Sequence, residues 1–196
     1  IRGNKVSMIF QEPMTSLNPV FTIGDQIMET IRLHQKKGRA EIHAIAVEMF
    51  KRVGLPDPEN LFYEYPHRLS GGMRQRVMIA IALACKPDLL IADEPTTALD
   101  VTIQAQIIDL IKELKESMGT AVLLITHNLA LVYRNADTVG VMYAGRMAET
   151  APAKTLFTNP LHPYTIKLLR SMPAQEKRGH MLDTIAGAVP PATSYP

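Results

Sequence analysis

Tryptophan is absent from these 196 residues, and cysteine occurs once, at Cys85. A lone thiol rules out an internal disulfide framework, so a hydrophobic core must hold the fold, and it suits a reducing compartment. Long apolar runs are missing too. The longest, Val77 to Cys85, has nine residues, well short of the ~18 that a membrane-crossing helix needs. Charge of one sign is also lacking: a net charge of +2 gives no electrostatic reason to expect a nucleic-acid or strongly acidic partner. None of the glycines begins a G-x-x-x-x-G-K followed by Ser or Thr, the loop whose backbone amides and lysine cradle nucleotide phosphates. No basic, apolar leader opens the chain. It starts Ile1-Arg2-Gly3-Asn4-Lys5 without an initiator methionine, which suggests a fragment.

What is present is a globular composition, 46% hydrophobic and 20% charged, with enough chain for one domain and a real core. Val6 to Phe10 reads as a strand running into Gln11, followed by a turn-rich loop from Pro13 to Pro19. Ile23, Ile27 and Ile31 recur as on one helix face, predicting a helix to about His34. Ile42, Ile45, Ala46, Met49 and Val53 predict a second, stopped by Gly54 and Pro56. Leu89 to Ala92, bracketed by Pro87 and Pro95, suits a buried parallel strand better than a helix. A strongly patterned helix runs from Asp100 to Gly119 through Ile103, Ile107, Leu110, Ile111, Leu114 and Met118. Ala121 to Ile125 reads as another buried strand, and Thr138 to Met147 as a hairpin turning at Ala144-Gly145. Strand–helix alternation followed by a hairpin gives an α/β fold with an antiparallel trailing edge.

Several polar residues stand where chemistry would be done. In open α/β sheets ligands lie beyond the carboxyl ends of the strands, where Asp93, Glu94, Gln11 and His127 fall. Asp93 and Glu94 are adjacent on an extended chain and need not share a task. One can serve a hydrated Mg²⁺ and the other an attacking water, or both can form a solvated acidic turn. Gln11 can ligate Mg²⁺ through its carbonyl or simply close a turn. His127 can donate to a phosphate oxygen or cap the helix that follows it. Ser70 is a good N-cap, and Gly71-Gly72 leave the first helical amides sterically open. That makes either an anion site, with Arg74 and Arg76 adding positive charge, or an ordinary helix start.

In this order and spacing the pieces resemble the nucleotide-binding subunits of ATP-binding-cassette (ABC) transporters. Leu69-Ser70-Gly71-Gly72 resembles the signature and Leu89 to Glu94 the Walker B strand with its catalytic glutamate. Ala98-Leu99-Asp100 resembles the D-loop, His127 the switch histidine and Gln11 the Q-loop glutamine. Met73 stands where most signatures have Gln, and LSGGMRQRVMIA is similar to the peptide-importer branch. Asn159-Pro160-Leu161-His162-Pro163 with Tyr164-Thr165 resembles the tail of oligopeptide, dipeptide and nickel importer subunits; His162 is not read as a metal ligand.

The resemblance implies a partial P-loop NTPase sheet (residues 1–21 and 69–150) with a helical subdomain inserted at 22–68. An importer-type tail follows at 151–196, with order doubtful from Pro173 onward. It implies ATP and Mg²⁺ as cofactors. Glu94 and His127 are then catalytic; Gln11, Ser70, Gly71, Gly72, Asp93 and Asp100 bind nucleotide, and Gln11 and Asp93 hold the metal. Implied partners are a second ATPase subunit facing the first, transmembrane permease subunits and, indirectly, a substrate-binding protein. The implied place is the cytoplasmic face of the inner membrane, as a peripheral subunit. Oligopeptide or dipeptide import is the first reading; a nickel importer and a soluble cassette ATPase are the alternatives, the last lacking any heptad or basic block. The resemblance sets the phosphate loop upstream of Ile1. These 196 residues alone are therefore expected to bind ATP weakly, not to turn it over, and to leave apolar faces uncovered around Leu123.

Overall fold

The computed structural model describes residues 1–97 and 99–171, which form two compact units, Ile1–Thr126 and the part of the chain from His127 onward. This cut is coarser than the four segments expected from the sequence. Ala98 and the tail from residue 172 lie outside the described residues.

The first unit is built on three parallel strands in the order β1 (Val6–Ile9), β2 (Leu89–Asp93), β3 (Ala121–Ile125). The register pairs Ile9 with Ala92 and Asp93 with Ile125, so the carboxyl ends of all three strands lie at one edge. After β1 the chain makes a single helical turn, α1 (Pro13–Ser16). The sequence predicts a loop there; proline fits the first turn of a helix because its missing N–H would have no partner anyway. Helix α2 (Ile23–His34) is capped by Thr22, whose hydroxyl accepts from the Asp25 amide, and it buries Ile23, Ile27 and Ile31 completely. Helix α3 (Arg39–Arg52) follows, then a short turn α4 (Pro58–Leu61) and a 3₁₀ turn over Pro66–Arg68. The amides of Ile23 and Gly24, orphaned at the start of α2, donate to the carbonyls of Glu64 and Phe62. A Cβ at Gly24 would meet the Phe62 carbonyl at 2.5 Å, so only glycine fits there.

Helix α5 (Gly71–Leu83) is buried on nearly all sides. It shares one hydrophobic core with α2, α3, the inner face of the sheet and α6 (Val101–Met118). Gly119, in the left-handed conformation at φ 70°, ends α6 as its position predicts. Cys85 lies just past the end of α5, near the Thr30 carbonyl, where burial pushes its thiol pKa up.

Among the described residues, one face of the sheet is covered more fully than the other. Ile9, Leu90 and Ala92 are buried, whereas Leu123 and Ile125 stay 50% and 45% exposed on the edge strand β3. This is the uncovered apolar face expected around Leu123: Val122 and Leu124 pack on the core, and the alternate side chains face outward, so β3 is buried on one side only.

In the second unit, α7 (Leu129–Asn135) is capped by Asn128 and not by His127. Strands β4 (Thr138–Tyr143) and β5 (Arg146–Pro152) form a hairpin. Its turn residues Ala144 and Gly145 both have positive φ, as a tight two-residue connection requires. This two-stranded sheet is the antiparallel trailing hairpin that the sequence predicts. Helices α8 (Ala153–Thr158) and α9 (Pro163–Arg170) pack with the hairpin around Val139, Val141 and Leu156. Among the described residues no helix is long and apolar enough to cross a membrane.

Candidate nucleotide site

Two of the expected residues meet in one cleft. It has a volume of about 560 Å³ and is lined by Phe10, Gln11, Glu12, Thr15, Ser16 and Asp93. The pairing of Ile9 with Ala92 explains the convergence: Gln11 follows β1 by two residues, and Asp93 is the last residue of β2. Thr15, Ser16 and Glu12, which the sequence reading missed, line the wall. The Thr15 and Ser16 hydroxyls both donate to the Glu12 carbonyl and so close the first turn of α1. Reading Pro13 as a breaker hid this turn.

Glu94 leaves β2 in the left-handed region at φ 47°, a conformation uncommon for a residue with a side chain and costly by about 1 kcal/mol. Hydrogen bonds hold it there. Its amide donates to the Ile125 carbonyl at 2.9 Å, and its carbonyl accepts from the Thr97 amide at 3.1 Å. The Thr97 hydroxyl donates to Glu94 Oε2 at 3.0 Å. The abrupt turn sends the chain away from the sheet edge directly after Asp93 and so separates the two acids, as their adjacency allows.

Ser70 caps α5, its hydroxyl accepting from the Met73 amide at 3.3 Å. Gly71 and Gly72 form the first helical positions, half-exposed. A Cβ on Gly72 would stand 3.2 Å from Ile103 Cγ2, so its lack of a side chain also serves the packing of α5 against α6. Arg74 and Arg76, expected to add positive charge near this helix start, also hold neighbouring backbone. Arg74 Nη1 donates to the Leu69 carbonyl, and Arg76 Nη1 to the Val53 carbonyl. Both guanidiniums tie α5 to the preceding chain, because unpaired carbonyls at the ends of the neighbouring turns attract them.

Asp100 caps α6 by accepting from the Ile103 amide at 3.0 Å. Gln104, not singled out by the sequence, reaches back from the first turn of α6. Its Nε2 donates to the carbonyls of Thr96 and Leu99 at 3.2 and 3.0 Å. His127 follows β3 by two residues and opens the second unit. Its alternative role, capping α7, is taken by Asn128, whose side chain accepts from Ala130 and Leu131.

Among the described residues no group of three His, Cys, Asp or Glu side chains could hold a metal by itself. Gln11 and Asp93 offer two hard oxygen donors in one cleft. That is a poor cage for Ca²⁺ or Zn²⁺ but fits Mg²⁺, which takes one or two protein oxygens and completes its octahedron with phosphate and water.

The sequence compares closely with known proteins. Residues 1–97 match the family model of the ABC transporter, and residues 148–196 that of the oligopeptide/dipeptide transporter C-terminal region. The oligopeptide transport ATP-binding protein AppD of Bacillus subtilis (strain 168) is 57% identical over 196 residues, covering 100% of this chain and 60% of AppD. The oligopeptide transport ATP-binding protein OppD of Lactococcus lactis subsp. cremoris (strain SK11) is 54% identical over 190 residues, covering 97% of this chain and 56% of OppD. Among solved structures, the ATP-binding cassette MJ0796, in a dimeric post-hydrolysis state bound to ADP and Pi, is 27% identical with a TM-score of 0.67. That match covers 77% of this chain and 64% of the other. CbiO1 from Clostridium perfringens, part of the ABC transporter complex cbiONQ, is 29% identical with a TM-score of 0.69, covering 79% and 60%. The chain spans about 60% of the length of the curated relatives that it matches most fully. With its parallel sheet, its signature helix and its tail in this order, the chain belongs to the ABC transporter family, in the branch that carries the oligopeptide/dipeptide C-terminal region.

Proposed function

We propose that the protein binds and hydrolyses ATP to power the import of oligopeptides or dipeptides. The observation that carries this is the convergence of Gln11 and Asp93 in one cleft at the carboxyl ends of β1 and β2, with Glu94 next in the chain. The names of the relatives support the substrate class, since those over half identical include peptide import and oligopeptide transport ATP-binding proteins. The dimeric state of the cassette MJ0796 supports a second, facing ATPase subunit as partner. Permease subunits, an indirect substrate-binding protein and a peripheral place on the cytoplasmic face of the inner membrane complete the proposal.

In this reading Asp93 and Gln11 hold Mg²⁺, which when bound neutralises phosphate charge. Glu94 accepts a hydrogen bond from the attacking water and orients it. Ser70, Gly71 and Gly72 present the start of α5 to the phosphates held by the facing subunit. Asp100 keeps the turn between Glu94 and α6 in register with that interface. His127 donates to the transferring phosphoryl group.

The test is Glu94→Gln in the protein as encoded. Nucleotide affinity should stay within about threefold while turnover falls on the order of 100-fold or more. Retained hydrolysis would remove Glu94 from this role. Normal uptake of peptide without ATP consumption would remove the function itself.

A further inference from the structure

The segment between Glu94 and α6 contains more side-chain hydrogen bonds than capping a helix requires. We propose that Thr97 and Gln104 are positioning residues for Glu94: Thr97 sets the direction of the carboxylate, and Gln104 fixes the turn that carries Thr97. This rests on the assignment of Glu94 to the attacking water. The contacts form a chain that begins in the core. Helix α6 is anchored by Ile107, Ile111 and Leu114, which are buried against α5 and the sheet, and its start is fixed by the Asp100 cap. From that rigid base the Gln104 amide donates to Thr96 O and Leu99 O, the carbonyls on either side of Thr97. Thr96 is itself only 4% exposed, so the residue before Thr97 has little room to shift. Thr97 then engages Glu94 twice, amide to carbonyl at 3.1 Å and hydroxyl to Oε2 at 3.0 Å.

The physical need is plain. A half-exposed glutamate has three side-chain torsions, and its backbone here is in the uncommon left-handed region, where local relaxation is downhill. A base must lie within hydrogen-bond reach of the water that it orients. A displacement of about 1 Å is enough to cost on the order of 100-fold in rate. Thr97 and Gln104 touch no reacting atom; they act through Glu94. A turn that merely stabilises the fold would predict something else, namely that their removal lowers stability and leaves the balance of kcat and KM alone.

The experiment uses the protein as encoded, with Thr97→Val, Thr97→Ser and Gln104→Leu. ATP turnover is measured alongside binding of trinitrophenyl-ATP and amide hydrogen exchange at Thr97 and Leu99. Thr97→Val should lower kcat about 10-fold, the effect of one hydrogen bond to a charged group. KM and analogue affinity should stay within twofold, and Thr97→Ser should restore kcat to within twofold of the wild type. Gln104→Leu should speed exchange at Thr97 and Leu99 at least fivefold and lower kcat about threefold. Wild-type kcat in Thr97→Val, a Ser variant as slow as the Val variant, or a KM that rises in step would overturn the proposal. Unchanged exchange in Gln104→Leu would overturn it as well. A wild-type protein with no ATP turnover would sink the proposed function instead. The clamp on the turn would then stand or fall on the exchange of Thr97 alone.

Discussion

Two stretches of this chain bring together acids, a histidine or glutamine, and a tight turn, and they use them in opposite ways. At the carboxyl ends of β1 and β2, the side chains of Gln11 and Asp93 line an open cleft, and among the described residues no hydrogen bond or ion pair takes up either. Around α9 the polar groups are engaged with the chain itself. His162 Nδ1 accepts from the Tyr164 amide at 3.1 Å, and the two oxygens of Glu149 accept from the Leu161 and His162 amides at 2.9 and 3.1 Å. Tyr164 packs on Tyr143, with ring centroids 4.5 Å apart. The Leu161–Thr165 motif is as conspicuous in the sequence as the Asp93-Glu94 pair, yet its groups fasten a helix start to β5. The difference teaches a criterion: a polar motif is a ligand site where its hydrogen-bonding capacity remains available after folding, and a fold element where it does not.

The sharpest way to break that comparison is to remove an available group. Asp93→Asn keeps the size of the side chain and removes the charge. It should abolish the Mg²⁺ dependence of nucleotide affinity and lower turnover on the order of 100-fold. Thermal stability should change little, since no partner in the chain loses a bond. Circular dichroism melts and equilibrium dialysis with and without Mg²⁺ would check both halves. A large loss of stability with unchanged Mg²⁺ dependence would place Asp93 with the structural groups instead.

Much of this contrast was legible before any coordinates, for identifiable reasons. Ile23, Ile27 and Ile31 set α2 to its observed ends because a four-residue apolar repeat has only one regular solution. The bracketing prolines placed β2 and so put Asp93 and Glu94 at a strand end. Contacts between side chains and distant backbone were not legible. Nothing in the spelling of Gln104 says that its amide reaches Thr96 and Leu99, nor in Arg76 that its guanidinium covers the Val53 carbonyl. Gly72 was read for its open amides, while its close approach to Ile103 depends on how α5 crosses α6. The hairpin was readable from its alternation and its Ala144-Gly145 turn, because a period of two with a tight two-residue connection leaves few other solutions.

A smaller effect is expected from removing an engaged group. His162→Ala deletes the acceptor that caps α9 and should cost about 0.5–1 kcal/mol in the stability of that helix start, as cap removals do. The clearest readout is hydrogen exchange at the Tyr164 amide, which should speed up while nucleotide affinity and turnover stay as they are. If His162→Ala instead lowered nucleotide affinity and left Tyr164 protected, the two stretches would be alike, and the criterion would fail.

The smallest effect concerns protonation and sharpens the same contrast. The Glu149 carboxyl is held below its ordinary value of 4.5, first by the Thr165 hydroxyl facing it and then by the Leu161 and His162 amides. The buried Thr165 hydroxyl lies outside good hydrogen-bond geometry with any partner, so the two amide bonds are the firm contacts and the hydroxyl acts by proximity. Each favours the charged carboxylate. The folded value is therefore depressed relative to the unfolded one, and the stabilisation is fully present above 4.5. It is lost as the pH falls from there through the lower folded value, because protonation leaves the amides facing a weaker acceptor. Exchange at the Leu161 and His162 amides, corrected for the intrinsic pH dependence, should lose protection over that acid window and show none of this loss at neutral pH. Glu149→Gln should lower protection at pH 7 and remove the extra loss on the acid side. A profile that is flat for the wild type, or the same in both proteins, would mean that the carboxylate does not fasten the loop.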